Sequence, residues 1–512
     1  MTDIPSASRR RDRGRAPRNT GPSLAPLPRL TNPWAPLEIL SAEQVERILL
    51  AAFRVLEEAG LEIRSAAARD VYRRAGALVN EETQNVRLGR DIVQSLLANA
   101  PERFVLHARN PQRHLHVGGN VVNFGPVNGA PNISDLERGR RYGDIEAFRN
   151  ILRLTHTLGI LHWQGGIVVE PVDVPVATRH LATYQAHVEC ADIVWAARGV
   201  GGVQAEDALA ISAIEHGCTI DDLASRPTLL TVTNVNSPRR VDEEILDNIM
   251  VMARHGQCVV ITPFTLMGAM APITLAGALV LQTAEAMGIV ALCQMLRPGA
   301  PCVLGGFTSN VDMRTGSPAF GTPEYIHAVL AGAQIGRRLK IPVRTSAVNA
   351  SPAVDAQSTY ETAFSLQAAI LSHSHLINHA AGWLEGGLSA SLEKIIIDSE
   401  ILRSWAWSMQ KIEVTKDDLA LEAIKAVPPG GHFFGSSHTM SRFEHAFYQP
   451  LVSDWRNFET WRDAGSQTAT QRATGLWKRI LAEYQPPPME VDVEAALLEF
   501  MARRGLDTRV FR

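Results

Sequence analysis

Cysteine is scarce in this chain and scattered: Cys190, Cys218, Cys258, Cys293 and Cys302 are all there is in 512 residues, and no two stand in C-x-x-C spacing. That excludes a disulfide scaffold and a thiolate metal site, and fits reduced, buried thiols in a cytoplasmic protein. An excess of one charge is also missing. Fifty Lys and Arg against 53 Asp and Glu give a net charge of −3, so neither nucleic acid nor a membrane surface is an expected partner. No apolar run follows the arginines of the N-terminus (Arg9, Arg10, Arg11, Arg13, Arg15, Arg18), so residues 1–33 read as a disordered basic tail rather than a secretory signal. Long hydrophobic runs are nearly absent too. The one exception, Thr274–Leu296, carries Glu285 near its middle. A charge there is costly in lipid. A helix apolar on nearly all sides belongs in a large core or a subunit interface, and a homo-oligomer is expected.

What is present is a large apolar fraction, 46% of the residues, enough for an extensive core. Ser41-Ala42-Glu43-Gln44 is a capping box opening a helix that runs to Gly60. Helical patterns follow near 65–75 and 90–98, and residues 34–118 read as a helical N-terminal layer. Then a rhythm begins. Apolar, β-branched runs end in Gly, Asn, Ser or Pro, and each leads into an amphipathic helix. The strand candidates are 121–126, 160–171, 192–199, 228–238, 257–264, 301–310, 341–352 and 375–383. Between them Ile145, Phe148 and Leu152 share a helix face, as do Val241, Ile245, Ile249 and Met252; so do Ile326, Val329, Leu330 and Ala333, and Phe364, Ala368 and Leu371. Eight strands alternating with helices over residues 119–412 predict a (β/α)8 TIM barrel, with a doubly wound open sheet as the competing topology. Against the open sheet, no G-x-G-x-x-G follows the first strand, and no G-x-x-x-x-G-K-[ST] occurs. Residues 413–512 break the rhythm and read as a helical C-terminal extension.

In such a barrel the chemistry sits where the strands end. The predicted ends carry Phe124, Trp163, Arg198, Asn234, Thr262, Phe264, Phe307, Thr308, Thr345, Ser346, Asn349, His379, Trp383 and Glu385. No strand ends in Lys, which argues against imine chemistry. No H-x-H, H-E-x-x-H or carboxylate pair is read at these ends, so no metal is expected. Aromatic rings beside one or two carboxylates suit a quaternary ammonium group, which has no N–H to donate and is held by ring faces and nearby negative charge. Phe124, Trp163, Phe264, Phe307, Tyr360 and Trp383 are the candidate rings, and Asp355, Glu361 and Glu385 the candidate counter-charges. Core packing is the competing reading for each ring, and helix capping for Asp355.

Several stretches resemble one family. They are GAPNISDLERGRRYGDIEAF (129–148), APITLAGALVLQTAEAMG (271–288), MRTGSPAFGTPEY (313–325), SPAVDAQSTYET (351–362), SLEKIIIDSEI (391–401), LALEAIKAVPPGGHFF (419–434) and FETWRDAGSQ (458–467). Together they resemble the trimethylamine methyltransferase family, and within it the branch without pyrrolysine, typified by glycine betaine:corrinoid methyltransferases. The resemblance implies a (β/α)8 barrel. It implies transfer of a methyl group from a small methylated amine to the Co(I) of a corrinoid (cobalamin) carried by a separate corrinoid protein, with no metal bound by this chain. The strand-end reading places the quaternary ammonium site at Phe124, Phe307, Tyr360, Glu361, His379 and Trp383. Trimethylamine-demethylating members carry pyrrolysine after the seventh strand, near Asn349–Asp355. Only standard residues stand there, which favours glycine betaine or a related betaine over trimethylamine. A trimethylamine or sulfonium demethylase, a corrinoid-independent barrel enzyme and a non-catalytic betaine-binding subunit are the alternatives.

One motif stays outside the barrel. PPGGHFFGSSHTM (428–440) gathers glycines, hydroxyls, His432 and His438. No carboxylate or thiolate lies between the two histidines and no Lys is present, so metal and phosphate readings are weak. Gly430-Gly431 after two prolines predicts a chain turn, and the segment is a candidate surface for docking the corrinoid protein.

Overall fold

The structure, a computed structural model, describes residues 24–27 and 29–506; most of the basic tail assigned to residues 1–33 lies outside the described residues. Eight strands form its centre: β1 (Val121–Pro126), β2 (Trp163–Gln164), β3 (Val194–Ala197), β4 (Leu229–Val235), β5 (Cys258–Met267), β6 (Cys302–Gly305), β7 (Val343–Ser346) and β8 (Leu376–Ala381). Each is followed by a helix: α1 (Ile145–Leu158), α2 (Val176–Cys190), α3 (Gly202–Glu215), α4 (Glu243–Arg254), α5 (Leu275–Leu296), α6 (Pro323–Leu339), α7 (Ala356–Leu371) and α8 (Leu392–Ser408). Neighbouring strands pair in parallel from β2 round to β8, and β8 pairs with β1. This is the (β/α)8 barrel of the sequence reading; the open sheet does not form. The strands are near-continuous apolar runs because parallel strands between a packed interior and a helical shell are buried on both faces.

The ring closes at its weakest seam through a histidine. β2 has only two residues, and the β1–β2 contact is made by His162: its backbone N–H donates to Phe124 O at 2.8 Å, and its Nδ1 accepts from Phe124 N at 3.0 Å. With Nδ1 accepting, Nε2–H donates to Leu27 O at 2.8 Å. Burial lowers the His162 pKa to about 4, which keeps the ring in the neutral form this arrangement requires.

Residues 34–118 cover one side of the barrel. Helices at Ala42–Arg54, Ala66–Arg74 and Arg90–Leu97 are joined by short strands, of which Leu61–Ile63, Leu78–Asn80 and Asn85–Arg87 pair with one another. The layer therefore carries a small sheet as well as helices. Ser41 caps the first helix in a reciprocal capping box with Gln44. This layer explains α5. Its side chains are buried from Ala278 to Gln294 apart from Val280, because the barrel lies on one side and the three helices of the layer on the other. Tyr72 Oη donates to Gly288 O at 2.9 Å, and a Cβ on Gly288 would stand 2.5 Å from Leu61 Cδ1. The apolar surface assigned from sequence to a core or subunit interface is covered by this chain's own N-terminal layer.

The C-terminal extension is tied to α8 by two buried carboxylates. Glu400 accepts from the backbone N–H of Leu451 (2.6 Å) and Val452 (2.7 Å). Glu393 accepts from Trp477 Nε1 at 2.9 Å and Thr474 Oγ1 at 2.8 Å. One helix phase differs from the sequence reading. Phe364 lies on the outer face of α7, half exposed and 6.1 Å from Tyr360, while Glu361, Ser365, Leu366, Ala369 and Ile370 are buried. Apolar residues on both faces of α7 blur its 3.6-residue period.

Glu285 of α5 gives the fold a testable pH dependence. Its carboxylate accepts from Ser237 Oγ (2.7 Å) and Arg239 N (2.6 Å), yet burial outweighs these bonds and pushes its pKa up to about 7. Between its ordinary value and about 7 the folded protein holds a proton that the unfolded chain has released, so stability falls as pH rises through that window. The full contribution is about 3 kcal/mol. Glu285→Gln is expected to flatten this slope relative to the parent in urea unfolding at pH 5 and pH 7.5; equal slopes would exclude the assignment.

Candidate active site

The barrel interior is filled differently at its two ends. At the N-terminal end, Leu106, Leu115 and Val117 of a hairpin pack with Trp163, Leu230, Cys258, Val260, Val303 and Leu376, and the ring is sealed. At the C-terminal end the fill is incomplete. Side chains alternate along a strand, so Val232 and Asn234 of β4 and Thr262 and Phe264 of β5 share the inward face of Val260. Asn234 is exposed, and Val232 and Phe264 are half-buried, so solvent enters the ring on that side.

Beside this opening stands a group of aromatic rings. Phe307 follows β6 and lies 5.2 Å from Phe264, 5.4 Å from Phe320, 5.9 Å from His379 and 6.3 Å from Trp383, centroid to centroid. His379 and Trp383 are 4.0 Å apart. His379 reaches this place through an irregularity: the β8–β1 register shifts between Ile377 and Ala381, and His379 has φ +56°. Burial, and secondarily the nearby Arg344 charge, holds its pKa well below the usual histidine value, so it is a neutral imidazole. Its Nδ1 is buried and has no hydrogen-bond partner.

Trp383 is fixed from two directions. Asn349 Nδ2 donates to Trp383 O at 2.6 Å, and Trp383 Nε1 donates to Asn349 O at 3.2 Å. Behind it, Gly382 N donates to Asp398 Oδ2 at 2.9 Å. Asp398 is paired with Lys394, and both side chains are essentially without solvent contact. A four-stranded sheet made of Trp383–Leu384, Ser389–Ser391, Asn132–Asp135 and Gly139–Tyr142 caps this side of the mouth.

The structure brings Phe307, His379 and Trp383 together, as the sequence reading placed them, and leaves other candidates apart. Phe124 does not join them: it points outward from β1 into the helical shell, 5.7 Å from His162. Tyr360 is half exposed on the outer face of α7. Glu361 lies beneath the loop after β7, where its carboxylate accepts from Ala350 N at 2.8 Å and Gln357 Nε2 at 2.9 Å. Asp355 is the N-cap of α7, and Glu385 pairs with Arg140 at 2.8 Å. The three candidate counter-charges thus have structural partners. Trp163 faces inward but lies in the lower layer.

Sequence reasoning missed Phe320, which joins the rings from outside any strand, and Arg344, whose alternation in β7 puts it inside the barrel. A charged residue on the inward side of an apolar strand was the available signal. It also passed over two His-X-His spacings, His114/His116 and His373/His375. Both lie toward the N-terminal end of the barrel, where His114 Nδ1 accepts from Ala108 N and His375 Nδ1 from Val343 N. Among the described residues no group of three His, Cys, Asp or Glu is placed to hold a metal. In the segment 428–440, Gly430 has φ +78° and Gly431 N donates to Pro428 O at 2.9 Å, making the expected turn. His432 lies 5.5 Å from the exposed Phe434 ring.

Residues 6–508 match the family model described as trimethylamine methyltransferase. The chain is 36% identical over 468 residues to a glycine betaine methyltransferase of Desulfitobacterium hafniense, covering 91% of this chain and 97% of that one. It is 28% identical to a trimethylamine methyltransferase of the same species, over 89% of this chain and 92% of that one. The crystal structure of the Methanosarcina barkeri monomethylamine methyltransferase aligns over 88% of this chain and 92% of its own, with a TM-score of 0.47 and 10% identity.

The buried pair behind Trp383 sets a prediction. Asp398→Asn leaves the Lys394 ammonium buried without its counter-charge and is expected to lower stability by about 3–5 kcal/mol in denaturant unfolding. A loss under 1 kcal/mol would show that the pair does not hold this wall.

Proposed function

The chain is a methyltransferase of the trimethylamine methyltransferase family, and from that premise we propose that it moves a methyl group from a quaternary amine, glycine betaine or a related betaine, to the Co(I) of a corrinoid held by a separate protein. The observation that carries this reading is the ring group Phe264, Phe307, Phe320, His379 and Trp383 beside an open barrel mouth. A quaternary ammonium offers no N–H, so hydrogen-bond acceptors select against it and ring faces select for it. A desolvated aromatic wall therefore suits this donor better than a primary or secondary amine.

The corrinoid supplies the nucleophile, and the residues here support its fit: the open face at Asn234, Val232 and Phe264 gives an acceptor on another protein a way in. The chain's own contribution is placement. Ring faces fix the ammonium with one methyl toward the opening, and the buried wall excludes water, so that attack and departure lie on one line. The amine leaves neutral, and no acid is needed. That agrees with a site whose one histidine is held neutral. The segment Asn349–Asp355, where amine-demethylating relatives of this family are expected to carry pyrrolysine, serves a different purpose here: Asn349 grips Trp383.

Calorimetric titration tests the reading. Glycine betaine is expected to bind and trimethylamine to bind much more weakly. Trp383→Ala is expected to weaken betaine binding by about 1–2 kcal/mol, a loss of about 5- to 30-fold. Unchanged binding would remove Trp383 from the site, and demethylation in the absence of any corrinoid would contradict the proposed acceptor.

A further inference from the structure

Among the described residues Arg344 is the most deeply buried arginine, 2% exposed, and it is compensated unlike four other arginines that lie largely inside the protein. Arg69 pairs with Glu81, Arg113 with Asp192, Arg149 with Glu189 and Arg198 with Glu170. Arg344 has no carboxylate partner among the described residues. Asn378, its amide oxygen turned toward the guanidinium, accepts from Nε at 3.3 Å and Nη2 at 3.0 Å. Nη1 has no partner. The guanidinium carbon lies 5.6 Å from the Phe307 centroid, so the group sits directly beneath the aromatic wall. Desolvation lowers its pKa only to about 10, so it stays charged at neutral pH. An isolated buried charge is costly unless something completes it.

The atoms around it point the same way. Ser346 is next on the inward face of β7, Thr262 lies on β5, and His379 lies in β8. Ser346 Oγ, Thr262 Oγ1 and His379 Nδ1 are all buried without partners. Between β5 and β7, the β6 position facing Arg344 is Gly305, whose missing Cβ lets Thr262 Oγ1 come close: a Cβ there would stand 2.3 Å from it. Unpaired polar atoms therefore converge on one place under the rings.

We infer that Arg344 is the specificity-determining residue that receives a carboxylate of the substrate, so that the site takes a zwitterionic betaine: trimethylammonium against the rings, carboxylate on the guanidinium, with Ser346 and Thr262 as additional hydroxyl donors. The inference rests on the quaternary-amine reading of the same site and refines it. A planar guanidinium with a free N–H edge matches a carboxylate's two oxygens. The same charge works against other ligands. Choline or a tetraalkylammonium brings a second positive charge to a desolvated cation with nothing to neutralise either, which is selection by repulsion as well as attraction.

The test varies the ligand before the protein. The unmodified chain is titrated with glycine betaine, with its near-isosteric amide (carbamoylmethyl)trimethylammonium, and with tetramethylammonium. Betaine is expected to bind about 100-fold more tightly than the amide. Arg344→Gln is expected to remove that preference through loss of betaine affinity, while tetramethylammonium binds no worse than before. Equal binding of betaine and amide by the unmodified chain would overturn the role of Arg344 and leave the quaternary-amine reading standing, whether or not the variant folds. Binding of none of the three would bring down that reading and this inference with it. Arg344→Gln that folds and still prefers betaine would likewise exclude Arg344.

Discussion

A guanidinium enclosed in a parallel barrel without a carboxylate is the constraint around which the rest of this molecule is arranged. Barrels of this kind are normally filled by stacked side-chain layers. Here the lower layers are apolar and complete, while the upper level holds Arg344, Thr262, Ser346 and Asn378 with several polar atoms unpaired. Such a level is unfavourable for the empty protein. Its persistence requires that the apolar layer below and the shell outside supply the stability, and the N-terminal layer, α5 and the C-terminal helices do so by extensive burial.

The second requirement is a wall of rings that does not collapse into the space above that charge. Phe307 and Phe264 come from neighbouring strand extensions, Phe320 from a loop, and His379 and Trp383 from the irregular end of β8. Trp383 is not held by ring contact alone. Asn349 grips Trp383, and the Lys394–Asp398 pair anchors the backbone behind it through Gly382. Buried ion pairs contribute little net stability against an apolar replacement, but they fix direction. Direction is what an in-line displacement needs.

The barrel was legible in the sequence because its strands are apolar runs punctuated by Gly, Asn and Pro, and each expected run overlaps one of the eight strands, with β5 continuing past its run to Met267. Phe307, His379 and Trp383 were legible as strand-end aromatics. Phe124 was misplaced for a specific reason. Position at a strand end does not fix the face, and a one-residue change in alternation turns a ring from the mouth into the helical shell. Tyr360 shared the problem of α7, whose apolar residues lie on both faces. Arg344 went unnoticed because a lone arginine in a strand resembles an edge residue until the sheet is known to close. The N-cap role of Asp355 was open to sequence reading, whereas the Arg140 partner of Glu385 is a tertiary fact that no spacing encodes.

The central claim is that this chain positions a quaternary amine so that one intact methyl group passes to a corrinoid. The most direct measurement is a single turnover with glycine betaine carrying trideuterated methyl groups and reduced cobalamin, followed by mass analysis of both products. The account predicts methylcobalamin bearing one CD3 group and an equal amount of hexadeuterated dimethylglycine. Formation of dimethylglycine with no label on the corrinoid would contradict it.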